Sequence, residues 1–289
     1  MSAVLEELVR LLELKPENDD VFIGQSQDLG FRNVFGGQVL GQAVSAAHKT
    51  ITDRFVHSLH AYFLRPGDAL AKIRYEVDRV RDGKSFSTRR VVAIQHGKPI
   101  FTMFCSFQVE EPGHQHQHTM PDVKGPDGLT SDLEFARKVK DKIPERIREK
   151  FTCDRPIEIR TISPPNPFNP KKREPVKNSW IRSAGSLPDD QRIHTCLLSY
   201  ASDFGLLSTS LMPHGLSFTD PNLQMASIDH AMWFHRKIKF DEWLLYNLDS
   251  PSSSGARGFS RGRVFNGNGE LVASVAQEGL IRDVSLRKN

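Results

Sequence analysis

Gly258-Phe259-Ser260-Arg261-Gly262 has the G-x-S-x-G form in which a serine on a sharp strand-to-helix turn attacks an acyl carbon. That chemistry needs a helix after the serine and a histidine later in the chain. Here "RVFNGNGELVASV" follows, which reads as strand, turn and strand, and the last histidine is His235. Ser260 is therefore expected to be an ordinary strand residue. His114, His116 and His118 alternate in a polar, turn-rich stretch. Three imidazoles can ligate a metal, but this pattern reads as solvated surface, and no metal is expected. Cys105, Cys153 and Cys196 lie far apart without a C-x-x-C. They predict neither a disulfide framework nor a zinc site, but three small buried hydrophobes in a reducing, cytoplasmic compartment.

The remaining candidates depend on the elements that position them. The chain has 289 residues, 38% hydrophobic and 26% charged, with a formal net charge of +4. It is long enough to bury a sizeable core, and its charge makes no strong case for nucleic acid as a partner. The N-terminal "MSAVLEELVRLLELKP" has helical apolar spacing but carries Glu6 and Glu7, so it does not read as a signal peptide. The C-terminal "SLRKN" matches no retention or peroxisomal address. No apolar run is long enough to span a membrane.

Two lines of the sequence are nearly the same: "FVHSLHAYFLRP" from Phe55 and "QMASIDHAMWFHR" from Gln224. Each leads through a polar break to a second strand, a Gly/Ser-containing loop, an Arg-bearing strand, a Gly turn and a last strand. In "AKIRYEVDRV", Ile73, Tyr75 and Val77 share one face, as a half-buried strand requires. A helix candidate precedes each meander: "FGGQVLGQAVSAAHKTI", with a low Gly/Ala surface, and "QRIHTCLLSYASDFGLL". The unit is a helix followed by an antiparallel meander, used twice, which is an α+β pattern. Residues 1–112 and 155–289 are expected to be the two domains. Residues 113–154 would form a linker with a charged helix interrupted at Pro144.

The blocks "FGGQVLGQA", "HAYFLRPGD", "YASDFGLL", "ASIDHAMWFHR", "SSSGARGFSRG" and "GELVASVAQEG" resemble those of the acyl-CoA thioesterase II family, the TesB-like enzymes. The resemblance runs from about Val21 to Arg282 and is weakest in the linker. It implies a double hot dog, two tandem units of an antiparallel sheet around a central helix. It implies hydrolysis of fatty acyl-CoA by an activated water, no cofactor, and a homo-oligomer, dimer or tetramer. Matched residue by residue, the family's water-holding set falls on Asp203, Ser227 and Gln277. Many bacterial members carry Thr where this chain has Ser227; either hydroxyl donates and accepts, though Thr is stiffer at χ1.

Within that resemblance, Gly36 and Gly37 are candidates to offer backbone N–H groups to the thioester oxygen. Aligning the two His-Ala pairs sets His57 opposite Ser227, and aligning the Gly turns sets Cys105 opposite Gln277. The first copy then lacks the polar set and supplies pocket wall, with His57 facing the groove. His60 and His230 read as hydrogen-bonded strand residues. Arg81, Lys84, Arg89, Arg90, Arg257, Arg261 and Arg263 lie on or beside matching loops, where CoA phosphates would favour guanidinium groups. Arg89, Arg257 and the adjoining Gly258 are the substrate-binding candidates there. Two alternatives stand beside hydrolysis. Asp189 and His194 have the outer spacing of the Asp-x-Asn-Pro-x-His site of hot-dog hydratases, without its Asn-Pro. A non-catalytic acyl-CoA-binding protein would not need the three polar residues together.

Overall fold

The structure, a computed structural model, describes residues 1–30 and 33–286. In chain order, α1 (Ala3–Leu12), β1 (Lys15–Asn18) and β2 (Val21–Gly24) lead to α2 (Gly36–His48). A meander follows: β3 (Phe55–Phe63), β4 (Ile73–Asp82), β5 (Phe86–Gln95) and β6 (Lys98–Gln108). The connecting segment holds α3 (Asp132–Lys138) and α4 (Glu145–Thr152). The second half is β7 (Ile157–Thr161), β8 (Val176–Ser183), α5 (Gln191–Ser202), α6 (Leu206–Thr209), β9 (Leu223–Ser227), β10 (Asp229–Phe234), β11 (Leu244–Ser254), β12 (Arg257–Phe265) and β13 (Leu271–Asp283).

All described strands join one antiparallel sheet in the order β1-β2-β4-β5-β6-β3-β10-β13-β12-β11-β8-β7, with β9 beside β13. The order is symmetric about its centre. Helix, meander and sheet edge recur on each side, which is a double hot dog. The two repeated lines are the central pair, β3 and β10, with Ala61 opposite His230 and His60 opposite Ala231.

Both central helices lie inside the curved sheet, against each other. A Cβ on Gly37 would stand 2.3 Å from the Tyr200 carbonyl oxygen, and one on Gly41 3.1 Å from that of Cys196. Glycine at i and i+4 therefore lets two backbones touch where any side chain would hold them apart. With sheet on one side and α5 on the other, α2 is buried on nearly all its faces. The main core cluster joins the halves, taking Leu40, Tyr75 and Phe101 from the first with Leu197, Met232 and Tyr246 from the second, and a smaller cluster gathers Trp180, Leu245, Phe265 and Leu271. Gln42, also buried, accepts from the Tyr75 hydroxyl at 2.7 Å and donates to the Gln25 and Leu11 carbonyls, so its polar atoms are satisfied inside the core.

The charged helix of the connecting segment is two helices. Ser131 and Glu134 cap α3 reciprocally, a 3-10 turn covers Lys140–Lys142, and Pro144 is the N-cap of α4. The break thus begins before the proline that announces it.

The repeat is also one residue out of register with its own lettering. In β3 the pairing with β6 slips by one residue between Val56 and Ser58. A similar slip separates Ser227, opposite Gly279, from Ala231, opposite Ala276. Superposing these two bulges matches Val56 with Ser227, Leu59 with His230 and Cys105 with Gln277. The His-Ala pairs do not correspond: His230 points into the core and His60 points out. A one-residue slip reverses every side chain on a strand, so Val56, not His57, is the counterpart of Ser227.

Candidate active site

Asp203 is the C-cap of α5, one residue past the last helical turn, and Gly205 at φ 89° turns the chain away from it. That glycine is needed, since a side chain in the left-handed region costs energy. The Asp203 side chain is 6 % exposed. Its Oδ2 accepts the Gly37 N–H at 2.9 Å, in the first turn of α2, and its Oδ1 accepts Gln277 Nε2–H at 2.7 Å. Ser227 Oγ donates toward Oδ1 at 3.5 Å and lies 3.2 Å from Gln277 Nε2. A Cβ on Gly36 would meet Oδ2 at 2.8 Å, so Gly36 and Gly37 together admit the carboxylate to the helix start. Burial raises the Asp203 pKa above its ordinary 3.8; the bonds from Gln277, Gly37 and Ser227 oppose that rise.

The bulge between β9 and β10 makes the cluster possible. Ile228 N–H reaches the Glu278 carbonyl at 3.0 Å, and Glu278 N–H reaches Asp229 Oδ1 at 2.7 Å. On a regular strand Ser227 and His230, three apart, would face opposite sides. Across the bulge both reach Gln277, His230 through Nδ1 at 3.1 Å. Three polar side chains from α5, β9 and β13 thus converge with one backbone amide from the first half. Gln277 Oε1 is buried and takes no hydrogen bond among the described residues. A buried base with two orienting groups is an arrangement that activates water.

Two family models match the chain: "Acyl-CoA thioesterase N-terminal domain" over residues 26–108 and "Acyl-CoA thioesterase" over residues 146–280. Acyl-CoA thioesterase 2 of Haemophilus influenzae is 45% identical over 283 residues, covering 98% of this chain and 99% of that one. The chain belongs to the acyl-CoA thioesterase II family. Human acyl-coenzyme A thioesterase 8 is 38% identical over 94% of this chain and 88% of its own. Among solved structures, acyl-CoA thioesterase II TesB2 from Mycobacterium marinum aligns with a TM-score of 0.78 at 38% identity, covering 96% of this chain and 98% of that one. A hot-dog protein of unknown function from Alicyclobacillus acidocaldarius, 17% identical with a TM-score of 0.77 over 96% of this chain and 98% of its own, shares the fold.

Within this family member the other expected residues are placed as follows. Ser260 is a buried strand residue opposite Gln277, and its hydroxyl donates to the Leu206 carbonyl at 2.9 Å, which anchors α6. His57 pairs with Ser106 Oγ at 2.9 Å, and Ser106 alternates with the inward-pointing Cys105 and Phe107. His57 is therefore turned away from the core, and burial lowers its pKa. Cys105 points inward at the counterpart of Gln277, where burial pushes its thiol up to about 12 and keeps it neutral.

Arg89 is not available to a phosphate. It is 2% exposed, and its guanidinium is spent on Thr50 Oγ1 at 2.9 Å, Asp82 at 2.8 Å and the Arg81 carbonyl at 3.1 Å. A buried guanidinium must satisfy its donors internally, and this one does. Gly258 is also buried, where a Cβ would stand 2.3 Å from Ser210 Oγ; its smallness admits the segment after α6. Arg257, half exposed, pairs through Nε with Glu278 at 2.9 Å.

Cys196 is buried with Cys105, but Cys153 is exposed at the end of α4, against the expectation for all three. His194 accepts the Phe240 N–H at 2.9 Å and reaches the Pro188 carbonyl at 3.1 Å, so both its ring nitrogens are held by backbone. His114, His116 and His118 are exposed, and no cluster of metal-ligating side chains occurs among the described residues. No helix is long and apolar enough to cross a membrane among the described residues. Sequence reading left out Ser202, which pairs with His230 Nε2 at 2.9 Å; as the last residue of α5, three past Ser199, it carries no pattern of its own.

Proposed function

We propose that the chain hydrolyses fatty acyl-CoA to free fatty acid and CoA with a water activated by Asp203. The observation that carries this reading is the buried Asp203 carboxylate, held by Gln277 and Gly37 with Ser227 beside it. Ser227 and the Gln277 carbonyl orient the water, and Asp203 accepts its proton as the oxygen bonds to the thioester carbon. Gly37 N–H already serves Asp203, so of the two glycine amides Gly36 is the one assigned to the developing oxyanion. The C–S bond then breaks, and the proton on Asp203 passes to the departing CoA sulfur. Free-thiol release from palmitoyl-CoA, measured beside hydration of an enoyl-CoA, tests the reading. Hydration without thiol release, or neither activity, would replace hydrolysis with one of the two alternatives.

Arg257 is the guanidinium we assign to the CoA phosphates, since Arg89 is buried whereas Arg257 is half exposed, with Nε on Glu278 and Nη1 only at 3.4 Å from the Gly255 carbonyl. Arg257→Ala is expected to raise KM for acyl-CoA several-fold with kcat nearly unchanged, the pattern of uniform binding loss. The rise should vanish on a short thioester lacking the nucleotide. Equal damage on both substrates would make Arg257 a structural residue.

A homo-oligomer is part of the same proposal. The outer face of the central strands exposes Tyr62, Phe104 and Trp233, at 56%, 48% and 37%. A contiguous exposed aromatic patch of this kind favours self-association. Trp233→Lys with Tyr62→Lys is expected to lower the sedimentation coefficient to that of a single chain. An unchanged coefficient would move the interface elsewhere. The unpaired Cys105 and Cys196 support a reducing, cytoplasmic location.

A further inference from the structure

His230 is fully buried behind the proposed catalytic cluster, and water activation by Asp203 does not use it. Its two ring nitrogens have different neighbours. Nε2 lies 2.9 Å from Ser202 Oγ, and Nδ1 lies 3.1 Å from Gln277 Nε2. A proton count decides between the tautomers. Gln277 must turn its NH2 toward Asp203, because its carbonyl oxygen at 2.7 Å from a carboxylate oxygen would be repelled. An NH2 at His230 Nδ1 needs a bare nitrogen there, so the ring proton is on Nε2. Ser202 must then accept from Nε2–H, and its own hydroxyl proton goes to the Ser199 carbonyl at 2.8 Å. The Ser202 backbone is fixed in turn by the Tyr246 hydroxyl, which donates to its carbonyl at 2.7 Å. Gln277 Nε2 has two hydrogens for three neighbours; the two shorter contacts, Asp203 Oδ1 at 2.7 Å and His230 Nδ1 at 3.1 Å, take them, and Ser227, 3.2 Å away, is left to donate its own hydroxyl toward Asp203. Asp203 Oδ1, 3.9 Å from Nδ1, is the charged group that faces the ring. Burial holds His230 down to about 3, so it stays neutral where the enzyme works.

We propose that His230 is a positioning residue for hydrolysis. Fixed as the Nε2–H tautomer by Ser202, it takes one Gln277 N–H at Nδ1 and so aims the Gln277 carbonyl at the attacking water. The proposal rests on the Asp203 reading above. It assigns a second task to the bulge between β9 and β10, which brings His230 to the same face as Ser227. In the first copy the corresponding residue is Leu59, opposite Cys105, and the line has no counterpart there.

The test compares His230→Asn with His230→Leu. An Asn carbonyl can take the place of Nδ1 as acceptor, whereas Leu fills similar volume with nothing polar. His230→Leu is expected to lower kcat about 30-fold at unchanged KM, the scale of a misaimed orienting group. His230→Asn is expected to keep kcat within about threefold of wild type. A packing role predicts the opposite order, since Leu suits the apolar surroundings of Met232 better than an amide. Melting temperatures should therefore favour Leu while kcat favours Asn. Ser202→Ala, which frees the tautomer without touching Gln277, should lower kcat about tenfold at unchanged KM. A full kcat in His230→Leu, equal losses in Leu and Asn, or an unaltered Ser202→Ala would overturn the assignment. Asp203→Asn is run alongside: if it too turns over normally, the reading of the site fails and not only the role of His230.

Discussion

Asp203→Asn is expected to lower thioesterase turnover by at least about a hundredfold, the scale of losing a general base, while the protein stays folded. Two opposing effects on stability make this a clean comparison. Burial raises the Asp203 pKa in the folded state, so the ionised carboxyl costs stability at every pH above its unfolded value. An amide removes that cost. It also has one oxygen where the carboxylate has two, so either Gly37 N–H or Gln277 Nε2–H loses its acceptor. The melting temperature should move little and kcat greatly. In the wild type, activity is carried by the ionised form and is lost as pH falls through the raised pKa. The acid limb of kcat/KM should therefore lie above the ordinary aspartate value. Removing an opposing bond with Gln277→Leu should move that limb higher still, because Gln277 is the strongest of the groups holding the pKa down. Normal turnover in Asp203→Asn would remove this residue from the chemistry.

Gly37→Ala should be strongly destabilising, because among the described glycines its Cβ would come nearest to backbone. Its Cβ would stand 2.3 Å from the Tyr200 carbonyl oxygen and 2.5 Å from Phe35 Cε1. Alanine recovers at most about 1 kcal/mol of helix propensity, and less in a first turn. Overpacking of backbone against backbone costs about 1–3 kcal/mol or more, because neither helix can yield without moving the sheet around it. The net loss should lower the melting temperature by roughly 2–6 °C. It should also lower kcat, since the same displacement carries the Gly37 N–H away from Asp203. Gly41→Ala, with its nearest carbonyl at 3.1 Å, is the milder control. Calorimetry on the two variants would separate them; a Gly37→Ala protein as stable as wild type would mean the helices slide apart at little cost.

Much of this protein is determined locally. The alternation of Ile73, Tyr75 and Val77 and the Gly/Ala surface around Gly37 and Gly41 specify a strand and a close-packed helix from neighbours a few residues away. Used twice, they specify an α+β duplication. The long motifs around Asp203, Ser227 and Gln277 carried the family, and with it the candidate site.

Tertiary structure decided what depends on pairing between distant residues. A period of two cannot register a single-residue slip, so the matching His-Ala letters concealed that Val56, not His57, corresponds to Ser227. The bulge that sets Ser227 and His230 on one face exists only because β13 pairs with both β9 and β10. Nor does a letter say whether an arginine faces a phosphate or a carbonyl. Arg89 in β5 and Arg257 at the start of β12 both border the loops that match between the copies, yet one is sealed among Thr50, Asp82 and Arg81 while the other is half exposed. Asp203 is likewise set by distant residues: burial raises its pKa, and the Gly37 N–H that opposes the rise comes from a helix 166 residues away in sequence.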